Sequence, residues 1–166
     1  KGSVIAGTGF GKSRIGILAI EYILKKCILF GYEGDALILV PTIQLQDQFR
    51  EEFCKWELEH YLDNVDILCY QSAYKSRGKH YDIVVCDEIH LGLSLKYRKF
   101  FENNTYNNLL CMTATVPEEE DYKKLLKEIA PIVYEITLDQ CVALGLVSAY
   151  NIYCMPVKLT DEESIV

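Results

Sequence analysis

Six short apolar runs, separated by segments of helical character, constrain this chain most. They are Val4-Ile5, Ala36-Leu37-Ile38-Leu39-Val40, Val65-Asp66-Ile67-Leu68-Cys69, Ile83-Val84-Val85-Cys86, Leu109-Leu110-Cys111-Met112 and Ile132-Val133-Tyr134-Glu135-Ile136. Continuous apolar runs of this kind suit strands buried on both faces, as in a parallel sheet covered by helices. The expectation is an α/β fold with a mostly parallel central sheet. At 166 residues, half of them apolar, the chain can build one well-cored domain and is too short for two.

The connecting segments carry helix signals. Ile15, Leu18, Ala19, Tyr22 and Ile23 follow helical spacing, and Ile17, Ile20 and Leu24 add apolar character on other faces, so this helix should be largely buried. Leu45, Phe49, Phe53 and Trp56 mark one stripe of a second helix, which Thr42 can cap. The acidic run Glu118–Asp121 precedes Tyr122, Leu125, Leu126 and Ile129 at helical spacing, with Lys123, Lys124 and Lys127 toward the end. Acids first and lysines last complement the helix dipole, so this charge run reads as a solvated helix face. Thr137 and Gln140 form a capping-box pattern for a short helix ending near Gly145. Tyr150 to Val157 reads as a further strand, and Thr160 repeats the cap signal just before the chain stops at Val166. Further sequence is expected on both sides.

Several function classes are disfavoured. No stretch approaches the roughly 20 apolar residues needed to cross a bilayer, and Lys1-Gly2-Ser3-Val4-Ile5 lacks the apolar core of a signal peptide, so the expectation is a soluble, intracellular protein. Seven cysteines form no C-x-x-C pair and their number is odd, which suits neither a zinc knuckle nor a disulfide framework. The net charge of −7 argues against a uniformly basic surface, yet residues 1–30 carry Lys1, Lys12, Arg14, Lys25 and Lys26 against Glu21 alone. Because the charge is segregated, the total is a poor guide to partners.

After the first apolar run comes Ala6-Gly7-Thr8-Gly9-Phe10-Gly11-Lys12-Ser13, followed by the first helical segment. A nucleoside triphosphate requires this arrangement. Glycines let backbone N–H groups converge on phosphates, and the helix N-terminus adds positive potential. Lys12 can reach the β- and γ-phosphates, and the Ser13 hydroxyl can ligate Mg2+. The fourth run ends in Asp87-Glu88-Ile89-His90, at the strand edge where open α/β sheets gather ligands. There Asp87 can hold Mg2+ and Glu88 can orient and deprotonate a water. His90 gains interest only from standing beside these acids.

These residues resemble superfamily 2 helicases and translocases. Residues 6–13 look like motif I, with Ala6 in place of the usual leading glycine, and Asp87-Glu88-Ile89-His90 is a DExH form of motif II. Pro41-Thr42-Ile43-Gln44-Leu45-Gln46-Asp47-Gln48 is similar to motif Ia, Thr113-Ala114-Thr115 to motif III, and Tyr70-Gln71-Ser72-Ala73 to the weaker segment between them. The Tyr-Gln-Ser-Ala segment and the tail Leu138–Ser148 look like the helicase subunits of type III restriction enzymes and their phage relatives.

The resemblance implies a RecA-like P-loop NTPase fold. Residues 1–148 would form the first motor domain, truncated at its N-terminus, and residues 149–166 would begin the connection to a second RecA-like domain. It implies ATP and Mg2+ as cofactors, with Lys12, Asp87, Glu88 and His90 in catalysis. Nucleic-acid contacts would come from Pro41, Thr42 and Gln71, and coupling of ATP state to domain movement from Thr113, Ala114 and Thr115. DNA is favoured as the track, with RNA as the alternative. Motifs IV to VI and their arginine fingers do not occur in this sequence. Such fingers supply on the order of 10³ to 10⁵ in rate, so weak hydrolysis is expected from this domain alone. A phosphate-loop kinase or switch, and a non-catalytic docking module, are the competing readings. The first lacks an acceptor site or switch loops, and intact Lys12, Ser13, Asp87 and Glu88 oppose the second.

Overall fold

The computed structural model describes residues 1–149 and Tyr153. All six apolar runs are strands: β1 (Gly2–Ala6), β2 (Ala36–Val40), β3 (Val65–Cys69), β4 (His80–Asp87), β5 (Thr105–Thr113) and β6 (Ile132–Ile136). They form a single sheet in the order β3-β2-β4-β5-β1-β6, and every neighbouring pair is parallel. The α/β class expected from the sequence is therefore the observed one. β4 and β5 extend several residues upstream of their apolar runs, through polar positions such as His80, Asn107 and Asn108.

Between the strands lie α1 (Lys12–Leu29), α2 (Ile43–Lys55), α3 (Tyr70–Ala73), α4 (Ile89–Gly92), α5 (Lys99–Asn103), α6 (Glu120–Ile129) and α7 (Leu138–Ala143). Alternation along the central strands builds two cores. Ala36, Ile38 and Val40 face α1 and α2, packing with Ile17, Ile20, Leu24, Phe49 and Phe53. Leu37 and Leu39 face the other way, joining Tyr70, Phe100 and Leu126. Each fully buried aliphatic or aromatic side chain contributes roughly 1.5–3 kcal/mol over exposure, so both layers are needed for stability.

Two local expectations are corrected. The buried face of α1 is Gly16, Ile17, Ile20, Leu24 and Cys27, whereas Leu18 and Tyr22 of the expected stripe are exposed. Gly16 explains the choice: a Cβ there would sit 3.0 Å from Val85 Cγ1 and 3.2 Å from Met112 Cε, so this face approaches β4 and β5 closely. β6 is an edge strand on which Ile132, Val133 and Tyr134 remain exposed, not a strand buried on both faces.

The helix-end signals are as expected. Thr42 Oγ1 accepts from Leu45 N at 3.4 Å. Thr137 and Gln140 make the reciprocal capping box, and Gly145 adopts φ +68° beyond α7. No described helix is long and apolar enough to cross a membrane. The strand expected at 150–157 lies outside the described residues apart from Tyr153, and the cap at Thr160 lies wholly outside them.

Candidate active site

Parallel strands end on one edge, and register decides which residues meet there. Ile5 pairs with Thr113 across β1 and β5, and Asp87 pairs with Met112 across β4 and β5. Ala6, Asp87 and Thr113 therefore leave the sheet side by side. This is where ligands of open α/β sheets gather.

The loop from β1 to α1 turns through two glycines in the left-handed region, Gly9 at φ +85° and Gly11 at φ +92°. Gly11 is the N-cap of α1, and a Cβ placed on it would meet nothing within 4 Å. The turn is open on its outer side, with the first amides of an 18-residue helix behind it. Lys12 folds back over the loop, donating to Ala6 O at 2.9 Å and Gly7 O at 3.3 Å. Its charge also acts on Asp87, pulling that carboxyl downward. Thr8 is exposed, Phe10 and Ser13 are half-buried, and the Phe10 ring stacks against Tyr134 at 6.1 Å.

Asp87 is buried at the tip of β4. Loss of hydration is the main cause that raises its pKa, with the neighbouring Glu88 charge adding to it; against the opposing pull of Lys12, the value reaches about 6. Glu88 follows with φ +50°, ψ +58°, a conformation in which few non-glycine residues are found and which concentrates at functional sites. The turn aims its carboxylate at Thr113, whose Oγ1 lies 2.9 Å from Glu88 Oε2. His90 Nδ1 stands 3.1 Å from Thr113 Oγ1 and 3.3 Å from Glu88 Oε2. The threonine hydroxyl has one proton to give, shared between Glu88 Oε2 and Thr115 O at 2.9 Å, and it accepts from Thr115 N at 3.4 Å. Ala114 is half-buried between them.

Tyr70 was legible only as part of a short segment, and its role comes from the structure. Its buried phenol donates to Asp87 O at 2.9 Å, fixing the carbonyl where β4 ends. A bulky aromatic closing an apolar run is a weak signal for such a strut.

Beyond the ends of β2 and β3, Gln71 Nε2 donates to Pro41 O at 3.2 Å, so the two segments picked out for nucleic-acid contact meet. They wall an open cleft of about 530 Å3 with Thr42, Ile43, Gln44 and Ser72. Among the described residues no cluster of three or more histidine, cysteine or acidic side chains could hold a metal.

The family described as type III restriction enzyme, res subunit, matches residues 1–118. No curated protein sequence matches the chain. The helicase domain of Hef from Pyrococcus furiosus superposes with a TM-score of 0.60 at 19% identity, over 80% of this chain and 34% of that one. The UvsW helicase of bacteriophage T4 gives 0.59 at 19% identity, over 81% and 54%. A nuclease-deletion mutant of the Type ISP restriction-modification enzyme LlaGI, in complex with a DNA substrate mimic, gives 0.61 at 16% identity, over 88% and 19%. At these identities the likeness is one of fold, and the chain spans about half or less of each of these proteins. With more than half its length matched by the family, the chain belongs to the type III restriction enzyme res-subunit family.

Proposed function

We propose that this domain binds Mg-ATP and hydrolyses it to drive movement on nucleic acid, with DNA as the favoured track. The observation that carries the reading is the Glu88 carboxylate, held by Thr113 and His90 beside a buried Asp87 and the lysine of a glycine-rich loop.

The residues fit a magnesium–nucleotide pair. The loop has an open outer side at Gly11, and Lys12 spends its ammonium on two loop carbonyls that a phosphate can replace. Asp87 is a poorly hydrated carboxylate that favours a cation nearby. Ser13 and Asp87 would hold Mg2+, which neutralises charge on the phosphates when bound.

Lys12 releases Ala6 O and Gly7 O and transfers to phosphate oxygens. Glu88 takes a proton from the attacking water, while Thr113 and His90 hold the carboxylate in place. A change at the phosphates is felt by Glu88, and through Thr113 by the 113–115 segment that leaves the sheet after β5. Residues 1–148 form the first motor domain in this reading, with 149–166 leading onward. Pro41, Thr42 and Gln71 contact the nucleic-acid backbone, the capped N-terminus of α2 offering amides to a phosphate.

Substituting Glu88 tests the assignment. Glu88→Gln should keep Mg-ATP binding and lose turnover, while Lys12→Ala loses binding itself. Undiminished turnover in Glu88→Gln would remove Glu88 from the role of base. Phosphate transfer to an acceptor other than water would favour a kinase.

A further inference from the structure

The motif residues leave one strongly charged surface unused. The segments Tyr74-Lys75-Ser76-Arg77-Gly78-Lys79 and Ser94-Leu95-Lys96-Tyr97-Arg98-Lys99 contain six basic residues and no acid, in a chain of net charge −7. Folding brings them together. The Tyr74 and Tyr97 rings lie 5.9 Å apart, and Lys96 Nζ sits 4.9 Å from the Tyr74 centroid and 5.6 Å from that of Tyr97. Lys75 Nζ is 5.8 Å from the Tyr74 centroid. Lower down, Gly78 N donates to Asn103 O at 2.9 Å, and Asn104 bridges Ser76 and Lys79.

Arg98 is paired with Glu102 at 3.4 Å, but no ion pair among the described residues engages Lys75, Arg77, Lys79, Lys96 or Lys99. All five are exposed. Lys79, just before β4, shares a cleft with Asp35, Asp63 and Asp66. Surfaces ordinarily intersperse both signs, so the other four cations, Lys75, Arg77, Lys96 and Lys99, on two adjoining segments call for an anionic partner. The choice among polyanions follows from position. Tyr74 is the C-cap of α3, the single turn that carries Gln71 and Ser72 into the cleft with Pro41 and Thr42. A backbone leaving that cleft along α3 meets Lys75 next, then Lys96.

We propose that this aromatic–lysine surface is a sequence-independent phosphate-binding extension of the nucleic-acid track, lying outside the motif residues. It rests on the motor reading above and adds to it a second anchoring surface. Rings beneath the ammonium groups limit their wandering without neutralising them, which suits a phosphate backbone that must be gripped and released.

The test uses the full-length protein and a fluorescein-labelled DNA of mixed sequence, as single strand and as duplex. Anisotropy titrations across a potassium chloride series compare wild type, Lys75→Ala/Lys96→Ala, and a charge-matched control, Lys124→Ala/Lys127→Ala. Each lost phosphate contact lowers the salt slope of log affinity by about 0.9 on duplex and about 0.7 on single strands. The patch variant should therefore lose nearly two contacts' worth of slope and about ten-fold or more in low-salt affinity. Its DNA-free ATP turnover should be unchanged, and the control should match wild type. Wild-type slope and affinity in the patch variant would overturn the inference while leaving the motor reading intact, as would an equal loss in the control. Unchanged DNA affinity with lost binding of polyglutamate would give the surface to an acidic protein instead. Failure of the wild type to bind either DNA would overturn the motor reading together with this one.

Discussion

Thr113 Oγ1 lies 2.9 Å from Glu88 Oε2, joining the end of β5 to the turn after β4. Two motifs that are 25 residues apart in sequence thereby share one hydrogen bond. Removing it should separate ATP binding from hydrolysis. A hydrogen bond to a charged group contributes about 1.5–3 kcal/mol, equivalent to roughly 10- to 150-fold in rate if lost only in the transition state. Thr113→Val should keep nucleotide affinity within about two-fold and lower kcat by at least about ten-fold, with Thr113→Ser restoring most of it. Steady-state turnover alongside fluorescent-nucleotide binding checks this.

Asp87 should trade stability for function. Its folded pKa of about 6 stands above its ordinary 3.8. The folded carboxyl thus holds its proton in a window where the unfolded chain has released it. The stabilising effect of protonation is complete below about pH 4 and is lost as pH rises through about 6. At neutral pH the buried charge therefore destabilises the magnesium-free protein, by at most roughly 3 kcal/mol. Asp87→Asn should raise the magnesium-free Tm at neutral pH, with the gain shrinking as pH falls from about 7 to 4, and should abolish turnover. Thermal unfolding across that pH range reads the first effect.

Tyr70→Phe isolates the strut under the site. The lost hydroxyl leaves the buried Asp87 carbonyl one partner short, a change worth roughly 1–2 kcal/mol. Chemical denaturation should show that loss with an unchanged m-value. Because Asp87 is positioned by this carbonyl, the magnesium concentration for half-maximal turnover should also rise, a shift that a purely packing role would not produce.

The strands were legible because continuous apolar runs are rare outside doubly covered sheets, and the four inner strands behave so, whereas β3, at the edge opposite β6, exposes Asp66. Ile132-Val133-Tyr134 misled because its apolarity says nothing of position, and here it lies on the sheet edge. The face of α1 was not legible because the helix is apolar nearly all round. Helical spacing is met equally by Ile15-Leu18-Tyr22 and by Ile17-Ile20-Leu24, and the close contact at Gly16 decides between them. At the site, Lys12, Asp87 and Glu88 announced themselves by type and place. The Glu88–Thr113–His90 contacts depend on strand register. The basic surface at 74–79 and 94–99 needs two segments to be brought together, and a net charge of −7 concealed it.

The most direct test is ATP hydrolysis by the protein that joins this domain to a second RecA-like domain, measured with no nucleic acid, single-stranded DNA, duplex DNA and RNA. The account predicts strong stimulation by one of the DNA forms, lost in Glu88→Gln. Equal, low turnover under all four conditions would contradict it.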